Sequence, residues 1–104
     1  LKIYRKDITE VKIVINGAGA AGTSIVNLLN CISATDIIVC DSEGIIYKGR
    51  EGLNTAKQRL AELTNPNNIK GDLSCALEDA DVFIGVSVAN IQLIFTYSFL
   101  FLII

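Results

Sequence analysis

The sequence predicts an α/β fold in which a parallel β-sheet carries helices on its faces, and three observations lead there. Short β-branched runs recur at Val11–Ile15, Thr35–Cys40 and Val82–Val86, each with the length and composition of a buried strand. Between the first two lies a stretch with helical apolar spacing, and the strand–helix–strand unit of about 30 residues is long enough for a parallel crossover. The composition is 51% apolar and 19% charged with one proline in 104 residues. That supplies a core for one small domain, or a piece of one, and excludes a disordered linker or a collagen-like repeat.

Residues 1–10, LKIYRKDITE, mix charge with scattered apolar positions and form a lead-in segment, with a turn at Lys6-Asp7. The first strand, Val11–Ile15, is bounded by Asn16-Gly17. From Ala20 to Asn30 a helix follows, with Ala21, Ile25, Leu28 and Leu29 at helical spacing. Thr35–Cys40 is the second strand, ended by Asp41 and the turn signal Ser42-Glu43-Gly44. Residues 44–52, GIIYKGREG, read either as a short extra strand or as an irregular excursion, and are expected as a loop. Asn54 caps a helix to about Leu63 whose Ala56, Leu60 and Leu63 share one face while Lys57, Arg59 and Glu62 point away; Thr64-Asn65-Pro66 stops it. Asp72 caps a short helix carrying Leu73, Ala76, Leu77 and Ala80, and Val82–Val86 is the third strand.

The last fourteen residues, IQLIFTYSFLFLII, break with everything before them. Eleven are apolar, none is charged, and four of the seven aromatic residues fall here. The uncharged stretch reaches back to Val82 and is long enough to cross a bilayer, but its first part already reads as a strand and no Lys or Arg flanks it. A foreign, out-of-frame ending is the leading expectation for 91–104. A membrane anchor comes second, and an extra strand or helix on the unfinished sheet third.

Nine Lys and Arg against eleven Asp and Glu, with no basic cluster, leave no footprint for nucleic acid or anionic lipid. The chain has no histidine, and its cysteines at 31, 40 and 75 match no paired-ligand spacing, so no metal site is expected within this segment. An odd cysteine count without a signal-like start points to a reducing compartment, the cytoplasm, with the thiols packed as small apolar groups.

Gly17-Ala18-Gly19-Ala20-Ala21-Gly22 is a GxGxxG placed directly after a strand and at the opening of a helix, the context a dinucleotide fingerprint requires. Gly17 lets the chain turn off the strand, Gly19 leaves room for a pyrophosphate against the backbone, and Gly22 lets the helix lie close to the sheet. The N–H groups of Gly19 to Ala21 and the positive helix end favour the phosphates without any basic side chain. Asp41 ends the next strand nineteen residues beyond Gly22, where a carboxylate can accept from both hydroxyls of the adenine ribose. Alternatively, Asp41 merely opens the turn that follows. An acid there repels a 2′-phosphate and favours NAD over NADP, a preference that Lys48 and Arg50 nearby weaken. The fold class is thus an incomplete doubly wound, Rossmann-type parallel sheet.

VKIVINGAGAAGTSIVNLL, DIIVCDSEGIIYKGR, and then LN, TNP and DVFIGVS in order resemble the cofactor domain of malic enzyme over roughly residues 6–90. The CDSEGIIYKGR and ADVFIGVS stretches carry the resemblance more than the glycines do. It implies oxidative decarboxylation of malate to pyruvate and carbon dioxide with NAD or NADP taking the hydride, a divalent Mg or Mn in the intact enzyme, and a homo-oligomer. Carried onto matching positions, it puts Gly17, Gly19, Ala20, Ala21 and Gly22 against the pyrophosphate. Asp41, with Ser42 beside it, goes to the ribose, and Ser87 and Asn90 to the edge of the cofactor cleft.

The resemblance also implies that the tyrosine and lysine acid–base pair and the acidic metal ligands lie outside this chain. Tyr4, Tyr47 and Tyr97 match none of the catalytic surroundings, and Lys48 and Lys57 read as solvated. The expected layout is a lead-in (1–10), a partial dinucleotide-binding domain (11–90) and the hydrophobic tail (91–104), inactive alone because only one wall of the cleft is present. Another dinucleotide-dependent dehydrogenase, or a non-catalytic nucleotide-binding module held by its tail, are the alternatives.

Overall fold

A computed structural model describes residues 7–86 and the backbone of 91–95. A 3₁₀ turn at Ile8–Glu10, capped by the Asp7 carboxylate on the Thr9 N–H, leads into β1 (Lys12–Asn16). Then follow α1 (Ala20–Cys31), β2 (Asp36–Asp41), β3 (Gly44–Ile45), α2 (Thr55–Leu63), α3 (Leu73–Leu77), β4 (Val82–Val86) and β5 (Ile91–Phe95). The caps expected from sequence are made: Asn54 Oδ1 accepts from the Lys57 N–H and Asp72 Oδ1 from the Cys75 N–H. Each satisfies a first-turn donor that the helix itself leaves unpaired.

The sheet order is β3-β2-β1-β4-β5. β1 lies between β2 and β4 and runs parallel to both, so the three predicted strands form a parallel centre. The sheet as a whole is mixed, because β3 and β5 run antiparallel to their neighbours. This corrects the all-parallel expectation at both edges. Within 44–52, expected as a loop, Gly44 and Ile45 pair back on Asp41 and Cys40. The tail contributes β5, whose Ile91 and Phe95 stand opposite Val86 and Val82.

Alternation along the strands builds two cores. Ile13, Ile15, Ile37 and Val39 face α1 and α2, packing on Val26, Leu60 and Ala61; Val14, Ile38 and Cys40 face α3 and pack on Ala76. Helices on both faces of a sheet with a parallel centre make this an incomplete Rossmann-type α/β fold. Individual helix faces differ from the sequence expectation. In α1 the buried residues are Gly22 and Val26, whereas Leu28 is 67% exposed. In α2 Ala56 is exposed and Lys57 is half-buried. Of the cysteines, Cys40 packs inside, but Cys31 and Cys75 are exposed. A helix with a glycine on its inner face sits so close to the sheet that its contact stripe narrows, pushing flanking apolar residues outward.

Two polar residues tie distant segments together. Buried Asp81 accepts from the Lys12 N–H through Oδ2 (3.0 Å) and donates its own N–H to the Lys12 carbonyl (2.9 Å), joining the starts of β4 and β1. Asn65, buried at φ +52°, donates through Nδ2 to the carbonyls of Ile46 and Ile69, accepts from the Ile69 N–H, and donates its backbone N–H to Ile37. Asn65→Ala removes three side-chain hydrogen bonds and leaves a β-carbon residue in left-handed backbone. The expected loss is about 2–4 kcal/mol of unfolding free energy in urea titration. Asn65→Gly, which relieves the backbone, should lose less; equal losses would mean that the backbone conformation contributes nothing.

Candidate functional site

The carboxyl ends of the parallel strands, where ligands bind in open α/β sheets, hold every group the motif singled out that lies among the described residues. β1 ends at Asn16, and Gly17 turns away at φ +135° while its N–H reaches the Cys40 carbonyl (2.8 Å). A β-carbon at Gly17 would come within 2.6 Å of the Val86 carbonyl oxygen, and one at Gly22 would overlap the Gly17 carbonyl. These two glycines are required by packing. Gly19 differs: a β-carbon there meets nothing within 4 Å. Its freedom faces open space, which is where a ligand pressed on the backbone would need it.

Gly19 is the N-cap of α1 and offers no side chain to it; its carbonyl accepts from the Thr23 N–H (2.9 Å) and hydroxyl (3.0 Å). The first-turn N–H groups of α1 lack acceptors within the helix and carry its positive end. They border a groove of about 690 Å³. Ala18, Gly19, Ala20 and Thr23 form one wall, Asn54, Ala56 and Lys57 at the start of α2 the other, and Asp41 lies between. A larger groove of about 790 Å³ outside the β2–β3 turn, where the Lys70 ammonium stands 5.1 Å from the centre of the Tyr47 ring, has neither the glycine turn nor a helix start long enough to bind phosphate.

Asp41 is the electrostatic centre of the site. Its Oδ1 accepts from the Glu43 N–H (3.0 Å) and Arg50 Nη1 (3.0 Å); its Oδ2 accepts from Arg50 Nη2 (2.5 Å) and Lys57 Nζ (2.7 Å). All four acceptor directions of the carboxylate are therefore engaged. Arg50 is further fixed on the carbonyls of Gly44 and Ile45. The side chains of Asp41, Arg50 and Lys57 are 7%, 11% and 30% exposed. Burial pushes the Asp41 pKa up, but hydrogen bonds from Arg50 and then Lys57 outweigh it and hold the carboxyl well below the usual aspartate range. Burial, with the Asp41 charge behind it, raises the neighbouring Cys40 thiol to about 11, so it is an inert core group.

The structure thus brings Gly17, Gly19, Ala20, Ala21, Gly22 and Asp41 to one end of the sheet. Ser42 is exposed in the β2–β3 turn, and Asp41 also makes the turn contact, to Glu43, that its alternative role required. Ser87 and Asn90 lie outside the described residues. Lys57, expected to be solvated, is instead half-buried on Asp41. Its signal was positional: three residues past the Asn54 cap, it occupies the first turn of a helix that starts at the same edge of the sheet. Arg50, flagged only as a nearby charge, is the bidentate partner of Asp41. Lys48 is exposed, with its N–H on Asn68 Oδ1 (3.2 Å). Among the described residues no cluster of three metal-ligating side chains occurs, and no helix is long and apolar enough to cross a membrane.

No protein-family profile matches the chain. Individual proteins do. The bifunctional malic/malolactic enzyme of Bacillus subtilis is 49% identical over 91 residues, covering 86% of this chain and 22% of that protein. The NAD-dependent malic enzyme of Geobacillus stearothermophilus is 42% identical over 88% of this chain and 19% of its own length. The NADP-dependent malic enzyme of Salmonella typhimurium is 39% identical over 84% of this chain. In structure, the NAD-dependent malic enzyme of Thermotoga maritima superposes with a TM-score of 0.74 at 44% identity, covering 79% of this chain and 22% of that one. The chain spans about a fifth of the length of the Bacillus, Geobacillus and Thermotoga proteins and about an eighth of the Salmonella enzyme. With 49% identity to one malic enzyme in sequence and a TM-score of 0.74 to another in fold, each over most of this chain, the chain belongs to the malic-enzyme family.

Proposed function

We infer that residues 11–90 hold the adenosine and pyrophosphate half of a nicotinamide dinucleotide for a malic enzyme, whose reaction is oxidative decarboxylation of malate to pyruvate and carbon dioxide. The observation that carries this is the groove between the two helix starts, with Gly19 open to it and Asp41 between its walls. The first-turn N–H groups at Gly19, Ala20 and Ala21 donate to the pyrophosphate, Gly17 and Gly22 keep the turn tight enough to present them, and Asp41, beside Ser42, orients the adenine ribose. Ser87 and Asn90 follow β4 in sequence and complete the cleft edge in this reading. The dinucleotide supplies the hydride acceptor when bound. A divalent metal, Mg or Mn, and the malate-binding groups belong to other parts of the enzyme.

Asp41 can accept a ribose hydroxyl only if one of its present donors leaves. The Glu43 N–H is backbone and Arg50 is fixed by four hydrogen bonds, so Lys57, the more exposed of the two cations and itself part of the groove wall, is the one displaced. A displaced ammonium beside the ribose suits a 2′-phosphate, which argues for acceptance of NADP as well as NAD. In calorimetric titration of the chain, both dinucleotides should bind. Lys57→Gln should tighten NAD about two- to fivefold by removing a partly exposed competitor, and weaken NADP about tenfold by removing a charge-assisted contact. Absence of binding by either dinucleotide would overturn the assignment; binding unchanged by Lys57→Gln would overturn only the role of Lys57. The chain alone should not reduce NAD with malate.

A further inference from the structure

We propose, resting on the dinucleotide reading above, that the turn after α2, Asn65-Pro66-Asn67-Asn68, positions the Arg50 clamp on Asp41 and thereby sets the choice between NAD and NADP at that carboxylate. Asp41 is held by a residue on a loop, and the loop is held by the turn. Arg50 reaches Asp41 from the end of segment 44–50, while its Nη1 also takes the carbonyls of Gly44 (3.3 Å) and Ile45 (3.1 Å). The next carbonyl, that of Ile46, accepts from Asn65 Nδ2 (3.2 Å), and the Lys48 N–H donates to Asn68 Oδ1 (3.2 Å). Ile46 is fully buried, but Lys48 and Gly49 are exposed, and a β-carbon at Gly49 would meet nothing within 4 Å. Past Ile46 the path to Arg50 is therefore held by hydrogen bonds more than by packing: the Asn68 contact, and the turn bond from the Arg50 N–H to the Tyr47 carbonyl (3.2 Å).

The turn is built to hold both points of the loop at once. The Asn68 N–H closes it on the Asn65 carbonyl (3.0 Å), with Pro66 at its second position, where a fixed φ suits a turn. Asn65 and Asn68 lie at φ +52° and +51°, backbone that asparagine tolerates better than most residues. Buried Asn65 also donates its own N–H to the carbonyl of Ile37 (2.6 Å) in β2, the strand that ends in Asp41. The carboxylate and the loop that carries its guanidinium thus share one anchor. Loosening that anchor leaves the local charge unchanged and frees the orientation of both groups. NAD then loses affinity, because a ribose hydroxyl needs the Asp41 oxygens in place; NADP loses less, because a released guanidinium can turn to the 2′-phosphate.

The ratio of the two affinities isolates this role, since partial unfolding weakens both dinucleotides by the same factor. Calorimetric titration of the full chain with NAD and with NADP gives that ratio for Asn65→Gly, Asn68→Gly and Asn68→Asp. The glycines keep the left-handed backbone, and the aspartate also keeps the acceptor for the Lys48 N–H. Asn65→Gly should shift the ratio toward NADP by about fivefold or more and Asn68→Gly by about threefold, whereas Asn68→Asp should return it to that of the unaltered chain. If Asn65→Gly does not fold, the two Asn68 variants decide. With both dinucleotides bound by the unaltered chain, a ratio that the glycine variants leave in place or move toward NAD overturns the proposal alone, as does an Asn68→Asp ratio equal to that of Asn68→Gly. No binding by the unaltered chain overturns it together with the dinucleotide reading.

Discussion

Asp41→Asn is expected to cost the fold about 3–5 kcal/mol, because it leaves the Arg50 guanidinium, 11% exposed, without its buried anion and with only the exposed Glu43 carboxylate at 3.9 Å. Small domains have only about 5–15 kcal/mol in total, so the urea midpoint should fall steeply. Arg50 cannot turn out to water without giving up the Gly44 and Ile45 carbonyls it also serves. Replacing both partners by apolar residues, Asp41→Leu with Arg50→Met, should recover much of the loss, since the deeply buried guanidinium is gone and the remaining cation, Lys57, is 30% exposed and can turn to water. If the double variant is as unstable as the single ones combined, the ion pair is not what holds this corner. The same carboxylate sets an acid limit. Its folded-state pKa is depressed, so its contribution is complete above the ordinary aspartate value near 4 and is lost as pH falls through the depressed one. Stability of the unaltered chain should decline below about pH 4, and Asp41→Asn should flatten that decline without abolishing it, because Asp7 and Asp72 are also depressed by local hydrogen bonds.

The second large effect concerns the glycines, and it separates fold from binding. Gly22→Val puts a branched side chain into the Gly17 carbonyl and must lift α1 off the sheet. A loss of at least about 3 kcal/mol is expected, at the upper end of overpacking costs because the obstructing atom is backbone. Gly19→Ala should change stability by no more than about 0.5 kcal/mol, since its added carbon meets nothing, yet, on the proposed dinucleotide reading, weaken binding about tenfold or more by standing where the pyrophosphate would lie. Thermal unfolding and calorimetric binding on the two variants check both halves. A Gly19→Ala chain that binds normally would remove the pyrophosphate from this turn.

How much of this was legible beforehand depends on the range of the interaction. Strands β1, β2 and β4 and the caps Asn54 and Asp72 depend on local composition and on donors three residues away, and the sequence shows both. The glycine turn was readable because its spacing encodes a backbone path. The edges were less legible: an extra strand is only one alternative for 44–52 and the third for the tail, because β3 and β5 are strands only where a neighbour is there to pair with, and a two-residue strand has no periodicity. The cations on Asp41 escaped for a similar reason. Lys57 looks solvated on a helix considered alone; only the packing of α2 beside β2, sixteen residues away in sequence, turns it inward. Leu28, apolar at a helical spacing yet exposed, shows the converse, since the close approach that Gly22 permits decides which flank of α1 is buried.

The stitch between Lys12 and Asp81 bears on the order in which the molecule assembles. Pairing β1 with β2 joins positions 12 and 36, whereas pairing β1 with β4 joins positions 13 and 82. Closing the longer loop costs more chain entropy before any contact repays it, so the β1–α1–β2 unit is kinetically favoured to form first. Val86, whose carbonyl hems in Gly17, arrives with β4. The glycine turn therefore gains its last wall only when the farthest strand docks, and a nascent chain that has not reached Asp81 has the fingerprint without the pocket.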